Sequence, residues 1–261
     1  MLLFFFLVTL LGATTAQAGG FDYPVITNQI HLLRPKLGAG GSFIDGVSCL
    51  SWRFGVETNN IIDWKTVPEE CEDYVGNYML GDQYRNDSQV VTREAFRYAK
   101  SLNLTNDGKN VWVFDIDETT LSNLPYYAKH GFGAEPYNET SYDEWVAEEK
   151  APALPESLKL YKKLRSFGIK IVFLTGRKEN TRTATENNLK SVGYQTWEQL
   201  ILKPSEYSGT SVEYKSGERK KLEEEGGYRI VGNMGDQWSD LLGTNPGIRT
   251  FKLPDPMYYI S

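Results

Sequence analysis

The sequence predicts an α/β protein built on a parallel sheet with helices on both faces. Three observations carry this: short apolar runs recur from Val111 onward, helical stretches separate several of them, and polar, chemistry-bearing segments stand directly after the runs. Strand, helix, strand alternation implies a parallel sheet covered on both sides. In such sheets ligands bind at the carboxyl ends of the strands, so the residues after each run are the place to look for function.

Taken in order, residues 1–18 (MLLFFFLVTLLGATTAQA) carry no charged side chain, run apolar from Leu2 to Leu11 and end in Ala16-Gln17-Ala18. They predict a cleaved secretory signal, although the usual basic start is missing; the apolar run falls short of the ~20 residues that span a bilayer, which disfavours an uncleaved anchor. Residues 19–44 are Gly-rich and aperiodic and read as an extended arm. From Asp45 to Leu102 the pattern turns helical, with Asp87 or Ser88 as the cap before Val90, Val91, Ala95, Phe96 and Ala99. Arm and helical extension together occupy 19–106, and an α/β core occupies 107–261. In that core the strands are VWVF at 111–114, IKIVFLT at 169–175, LILK at 200–203, RIVG at 229–232 and TFKL at 250–253. Between them, helices run over Leu154–Phe167, closed by Gly168, over Glu179–Val192, closed by Gly193, and over Ser216–Glu225, closed by Gly226 and Gly227.

Composition narrows the function. The 261 residues carry 28 basic and 34 acidic side chains, a net charge of -6, which disfavours a nucleic-acid partner bound through a broad basic surface. Only two histidines occur, His31 and His130, far apart in the chain, so multi-histidine metal sites are disfavoured. A secretory route favours a disulfide between the only two cysteines, Cys49 and Cys71, over a pair of buried thiols. Asn86, Asn103 and Asn138 head Asn-x-Ser/Thr triplets compatible with glycosylation.

The chemistry gathers at the strand ends. Asp115 and Asp117 follow the first strand two positions apart, so an extended backbone projects both carboxylates to one side. Two acids placed after a buried strand call for a cation or donors to satisfy them. After the second strand stand Thr175, Gly176 and Arg177, a group suited to phosphate oxygens, although Thr175 is equally suited to cap a helix. After the fourth come Asp236 and Asp240, four apart and on one face if a helix begins there. Lys203 and Lys215 are both candidate balancing cations. Four acids at one edge require a divalent metal, and an all-oxygen ligand set suits Mg2+.

The order DIDETT, FLTG, a lysine, then GDQWSD resembles the haloacid dehalogenase superfamily of phosphotransferases. The longer strings CLSWRFGVETNN with its second cysteine, YKSGERKKL, YRIVGNMGDQWSDLLG and FKLPDPMYY resemble its plant acid phosphatase and vegetative storage protein branch, over about Cys49 to the C-terminus. The resemblance implies a haloacid dehalogenase-like Rossmannoid core in which Asp115 is the nucleophile that becomes an aspartyl phosphate. It implies that Asp117 protonates the leaving alcohol and then activates water. Thr175, with Gly176, matches the phosphoryl-binding position, and Lys215, in its YKS context, fits the family lysine better than Lys203. The Mg2+ ligands implied are Asp115, the Asp117 main-chain carbonyl and Asp236, with Asp240 a ligand or an acceptor for bound water. Residues 122–151 match a small cap inserted after the first motif, where Tyr126, Tyr127 and Trp145 either stack on a substrate or pack the insertion. A homodimer is also implied.

The expected function is therefore a Mg2+-dependent acid phosphatase of the secretory pathway, vacuolar or extracellular, acting on small phosphate monoesters. A free aspartic acid of pKa ~3.9 is ~7% protonated at pH 5 and ~0.1% at pH 7, so acid catalysis by Asp117 predicts an acidic optimum. The alternative is a storage glycoprotein that keeps the scaffold with weak or incidental activity. Transfer of the phosphoryl group to an alcohol instead of water uses the same intermediate. A histidine-based phosphatase is disfavoured, since neither HLLRPK nor KHGFG places its histidine beside an arginine cluster.

Overall fold

The computed structural model describes residues 43–261; the expected signal at 1–18, nearly all of the arm, and His31 lie outside the described residues. The five apolar runs form one parallel sheet: β3 (Asn110–Phe114), β4 (Lys170–Lys178), β5 (Gln199–Lys203), β6 (Arg229–Gly235) and β7 (Thr250–Lys252), ordered β5-β4-β3-β6-β7. β3 lies at the centre, pairing Phe114 with Phe173 on one side and with Met234 on the other. Its ends therefore sit where the strand order reverses, the crevice in which such sheets bind ligands. Two strands run past their apolar cores. β4 continues through Thr175, Gly176 and Arg177 with a shift of register against β5, and β6 continues to Gly235, bringing Asp236 to the edge.

Alternation along the strands divides the core in two. Trp112, Phe114, Ile171 and Phe173 face a large aromatic core, with Trp112 stacked on Phe251 at 5.4 Å. Val111, Val113, Val172, Leu174 and Ile230 face a smaller one completed by Tyr214 and Leu222 of the helix Ser211–Glu224. Each of these fully buried apolar side chains contributes roughly 1.5–3 kcal/mol. The large core is covered by α3 (Asp82–Ser101), α6 (Pro155–Ser166) and α7 (Arg182–Ser191), and the small one by α8 (Ser211–Glu224).

Two helix starts differ from expectation. α3 begins at Asp82, so Asp87 and Ser88 are interior: Ser88 Oγ donates back to the Tyr84 carbonyl, and Asp87 accepts from the Tyr78 hydroxyl. α8 begins five residues before Ser216, where Thr210 and Glu213 form a reciprocal cap. The N-terminal layer is a short hairpin, β1 (Phe43–Ile44) with β2 (Val47–Ser48), followed by α1 (Cys49–Glu57) and α2 (Glu72–Leu80). A Cys49–Cys71 disulfide joins the start of α1 to the residue before α2.

Residues 122–151 leave the sheet edge and carry α4 (Leu124–Tyr127) and α5 (Glu139–Ala147). Tyr126, Tyr127 and Trp145 make packing contacts there. Tyr126 lies against Tyr127, Tyr142 and His130, Trp145 Nε1 donates to Asn123 Oδ1 at 2.9 Å, and Tyr127 stacks on Tyr258 at 5.3 Å. His130 pairs with Glu135. Gly133, at φ +94°, has no room for a side chain: a Cβ there would lie 1.8 Å from the Met257 carbonyl oxygen, so the insertion rests directly on the chain beyond β7.

Candidate active site at the carboxyl edge of the central strands

Asp115 follows β3 directly, and its amide still donates to the Met234 carbonyl at 2.9 Å, which holds the side chain at the sheet edge. Asp236 follows β6 in the same way, and Asp240 returns to the edge on α9 (Trp238–Leu241). Asp236 therefore precedes this one-turn helix, and the two acids converge through the turn rather than along a helix face. Gly235 makes the convergence possible, because a Cβ there would lie 2.2 Å from Asp240 Oδ2. One carboxylate oxygen each from Asp115, Asp236 and Asp240 lies within 4.8 Å of the other two, and all three side chains are buried.

α8 aims Lys215 into this group. Its Nζ donates to Asp115 Oδ1 at 2.6 Å and also to Asp240. Burial alone lowers a lysine pKa, but the two carboxylates outweigh it and raise that of Lys215. Burial pushes the Asp115 carboxyl up against the opposing pull of Lys215, with Asp240 and Asp236 adding to the rise. Asp236 is pushed up to about 6 by burial and by Asp240, although Gln237 and Thr119 donate to it. Three acids facing one ammonium keep an excess of negative charge in a buried, all-oxygen pocket. Such a donor set fits a hard divalent cation, and these residues form a cluster that can bind a metal.

Asp117 diverges from the cluster. Its Oδ1 accepts from Arg177 Nη2 at 2.7 Å, Arg177 Nε at 3.0 Å, Asn123 Nδ2 at 2.8 Å and the Tyr142 hydroxyl at 2.8 Å, while Oδ2 has a single contact from Arg177 Nε at 3.2 Å. Burial would raise its pKa, but the Arg177 guanidinium and these donors hold it below the usual carboxylate value. Arg177, read from the sequence as a phosphate-binding group, is thus committed to Asp117 and to the Thr185 hydroxyl. Thr175 Oγ1 accepts from the Arg177 amide at 3.0 Å, a local turn rather than a helix cap, and keeps its own proton for donation. A Cβ on Gly176 would meet nothing within 4 Å, so open space lies over this turn.

Sequence reasoning missed an outer ring of polar groups. Glu118, fully buried at a φ of +50°, accepts from the Asn123 amide and side chain and from the Tyr258 hydroxyl at 3.0 Å; burial and the neighbouring Asp117 and Asp236 push it up to about 8. Gln237 Nε2 donates to both Asp236 Oδ2 at 2.9 Å and Asp255 Oδ2 at 3.0 Å, and its Oε1 accepts from the Ile260 amide. The chain beyond β7 thereby braces Asp236. An acid next to DID and a second in LPDP were the signals available, but their partners lie far off in sequence.

The family model described as HAD superfamily, subfamily IIIB (acid phosphatase), matches residues 36–261. The chain is 52% identical over 217 residues to acid phosphatase 1 of Solanum lycopersicum, covering 83% of this chain and 85% of that one. It is 45% identical over 238 residues to vegetative storage protein 1 of Arabidopsis thaliana, covering 90% and 86%. Its fold is similar to the class C acid phosphatase from Bacillus anthracis, with a TM-score of 0.58 at 22% identity over 72% of this chain and 85% of that one.

Proposed function

The chain belongs to the HAD superfamily, subfamily IIIB, the acid phosphatases, and from that premise we propose that it hydrolyses phosphate monoesters by two successive displacements at Asp115. In the first, the Asp115 carboxylate attacks phosphorus and the ester oxygen departs with a proton from Asp117, leaving an aspartyl phosphate. In the second, Asp117 takes a proton from water as that water attacks phosphorus, and phosphate leaves with Asp115 restored. Oδ2 is the Asp117 atom that carries this proton, because Oδ1 already accepts four hydrogen bonds. Lys215 offsets charge on Asp115 and the phosphoryl group, and the Thr175 hydroxyl with the Gly176 backbone receives phosphoryl oxygens.

The acidic cluster suits Mg2+, held by Asp115, Asp236, the Asp117 main-chain carbonyl and Asp240 or water bound to it. When bound, that ion supplies positive charge against the phosphoryl oxygens. The observation that carries the reading is the convergence of Asp115, Asp236 and Asp240 around the ammonium of Lys215. Residues 122–151 act as a cap that shapes the entrance. The apolar start of the chain directs it into the secretory pathway, toward vacuole or cell exterior.

Phosphate release from p-nitrophenyl phosphate, with and without Mg2+ and beside Asp115→Asn, tests the reading. Mg2+-dependent turnover should fall on the order of 10³-fold or more in the variant. Similarity to a vegetative storage protein favours a second reading, a reserve protein with incidental activity. Equal rates for wild type and Asp115→Asn would support that one.

A further inference from the structure

Lys203, at the carboxyl edge of the sheet, has no part in this mechanism. Lys203 ends β5, paired in register with Lys178 at the end of β4. Along β5, Leu200 and Leu202 enter the large core while Ile201 packs on the small one, so alternation turns Lys203 to the face covered by α8, the helix that holds Lys215. The other lysines at this edge are engaged, Lys178 by Glu139 of the insertion, Lys215 by Asp115 and Asp240, and Lys252, at the end of β7, by Glu57. Lys203 makes no hydrogen bond or ion pair among the described residues. Burial, with Lys178 and Lys215 nearby, holds its ammonium below the usual lysine value against the weaker pull of Glu139, whose carboxylate is hydrogen-bonded to Lys178. A half-buried cation without a direct hydrogen-bonding partner is costly, and an anionic ligand offsets that cost.

The position also fixes a distance. β5 lies two strands from β3, about 10 Å across the sheet at ~4.8 Å per strand, and Lys203 stands two residues, about 7 Å, beyond the level of Asp115 along the strands, so an anion at Lys203 stands a short organic chain away from phosphorus at Asp115. The loop after Lys203 packs Tyr207 against Tyr214, the residue before Lys215 on α8.

We propose that Lys203 is a specificity residue that binds a second anionic group, phosphate or carboxylate, on the leaving-group side of the substrate, so that the enzyme prefers phosphate esters bearing a second negative charge. The inference rests on the phosphatase reading above and names its substrate class.

Three esters of one chain length test it: butanediol monophosphate, butanediol bisphosphate and the phosphate ester of γ-hydroxybutyrate. Wild type should show kcat/KM about tenfold or more higher for one or both charged esters than for the neutral one, after counting the two equivalent ends of the bisphosphate. The bisphosphate and carboxylate arms identify which anion is preferred. Lys203→Gln should bring the charged-to-neutral ratio close to one, whereas Lys203→Arg should keep most of the preference. The proposal is overturned if wild type shows no preference, or if Lys203→Gln leaves the ratio unchanged. Mg2+-dependent release from none of the three esters would remove the phosphatase reading and this inference with it, a result distinguishable from loss of selectivity alone.

Discussion

Arg177 decides which proton Asp117 can carry. The guanidinium and two neighbours saturate Oδ1 and lower the carboxyl pKa, so the protonated form needed for leaving-group departure is populated only in acid. Arg177→Met removes that stabilisation of the anion and raises the pKa. The alkaline limb of the kcat/KM profile should then move to higher pH while the maximum falls through lost orientation, which a pH series on both proteins measures. Gly235 is a second sensitive position: Gly235→Ala pushes a methyl group onto Asp240 and should raise the Mg2+ concentration for half-maximal activity about tenfold or more, read by metal titration. Asp115 and Asp236 could be singled out in the sequence because each directly follows an apolar run, whereas Lys215 was separated from Lys203 only by the resemblance of its YKS context to the family. Glu118 and Asp255 were not, since Tyr258 lies 140 residues from Glu118 and Asp255 reaches its place only through Gln237.

Helices and strands differ in how clearly the chain announces them. Buried strands appear as apolar runs, and all five fall where expected. Helix starts depend on which side chain turns back to the backbone, and Asp87 and Ser88 look like caps until their bonds to Tyr78 and Tyr84 are seen. The T-x-x-E pattern at Thr210 and Glu213 was the signal for α8. Thr210→Ala should cost about 1 kcal/mol by urea denaturation, because it leaves end amides of the helix carrying Lys215 unpaired. Replacing Cys49 and Cys71 together by serine should cost about 3 kcal/mol by the same measurement, and activity should persist well below the lowered melting temperature, since the bridge ties α1 to α2 away from the acidic cluster.

Across the whole molecule the buried acids set a pH response opposite to the usual one. Glu118, near 8, and Asp236, near 6, titrate above their unfolded values of ~4.3 and ~3.9. The metal-free folded protein therefore binds more protons than the unfolded chain across that window, and its stability declines as pH rises from about 4 to 8. The melting temperature of metal-free protein should be higher at pH 5 than at pH 8, and saturating Mg2+ should narrow the gap; no change on adding the ion would count against the cluster as its binding site. Strand order was less legible than strand existence, because crossovers rather than any single run place β3 between β4 and β6. The stretch past β7 has one more consequence. Translation proceeds toward the C-terminus, so Asp255 and Tyr258 leave the ribosome after every strand of the sheet. A nascent chain halted short of them holds Asp236 without the Tyr258 hydroxyl and holds Gln237 without Asp255, so the outer ring around the acidic cluster is the last part of the site to be made.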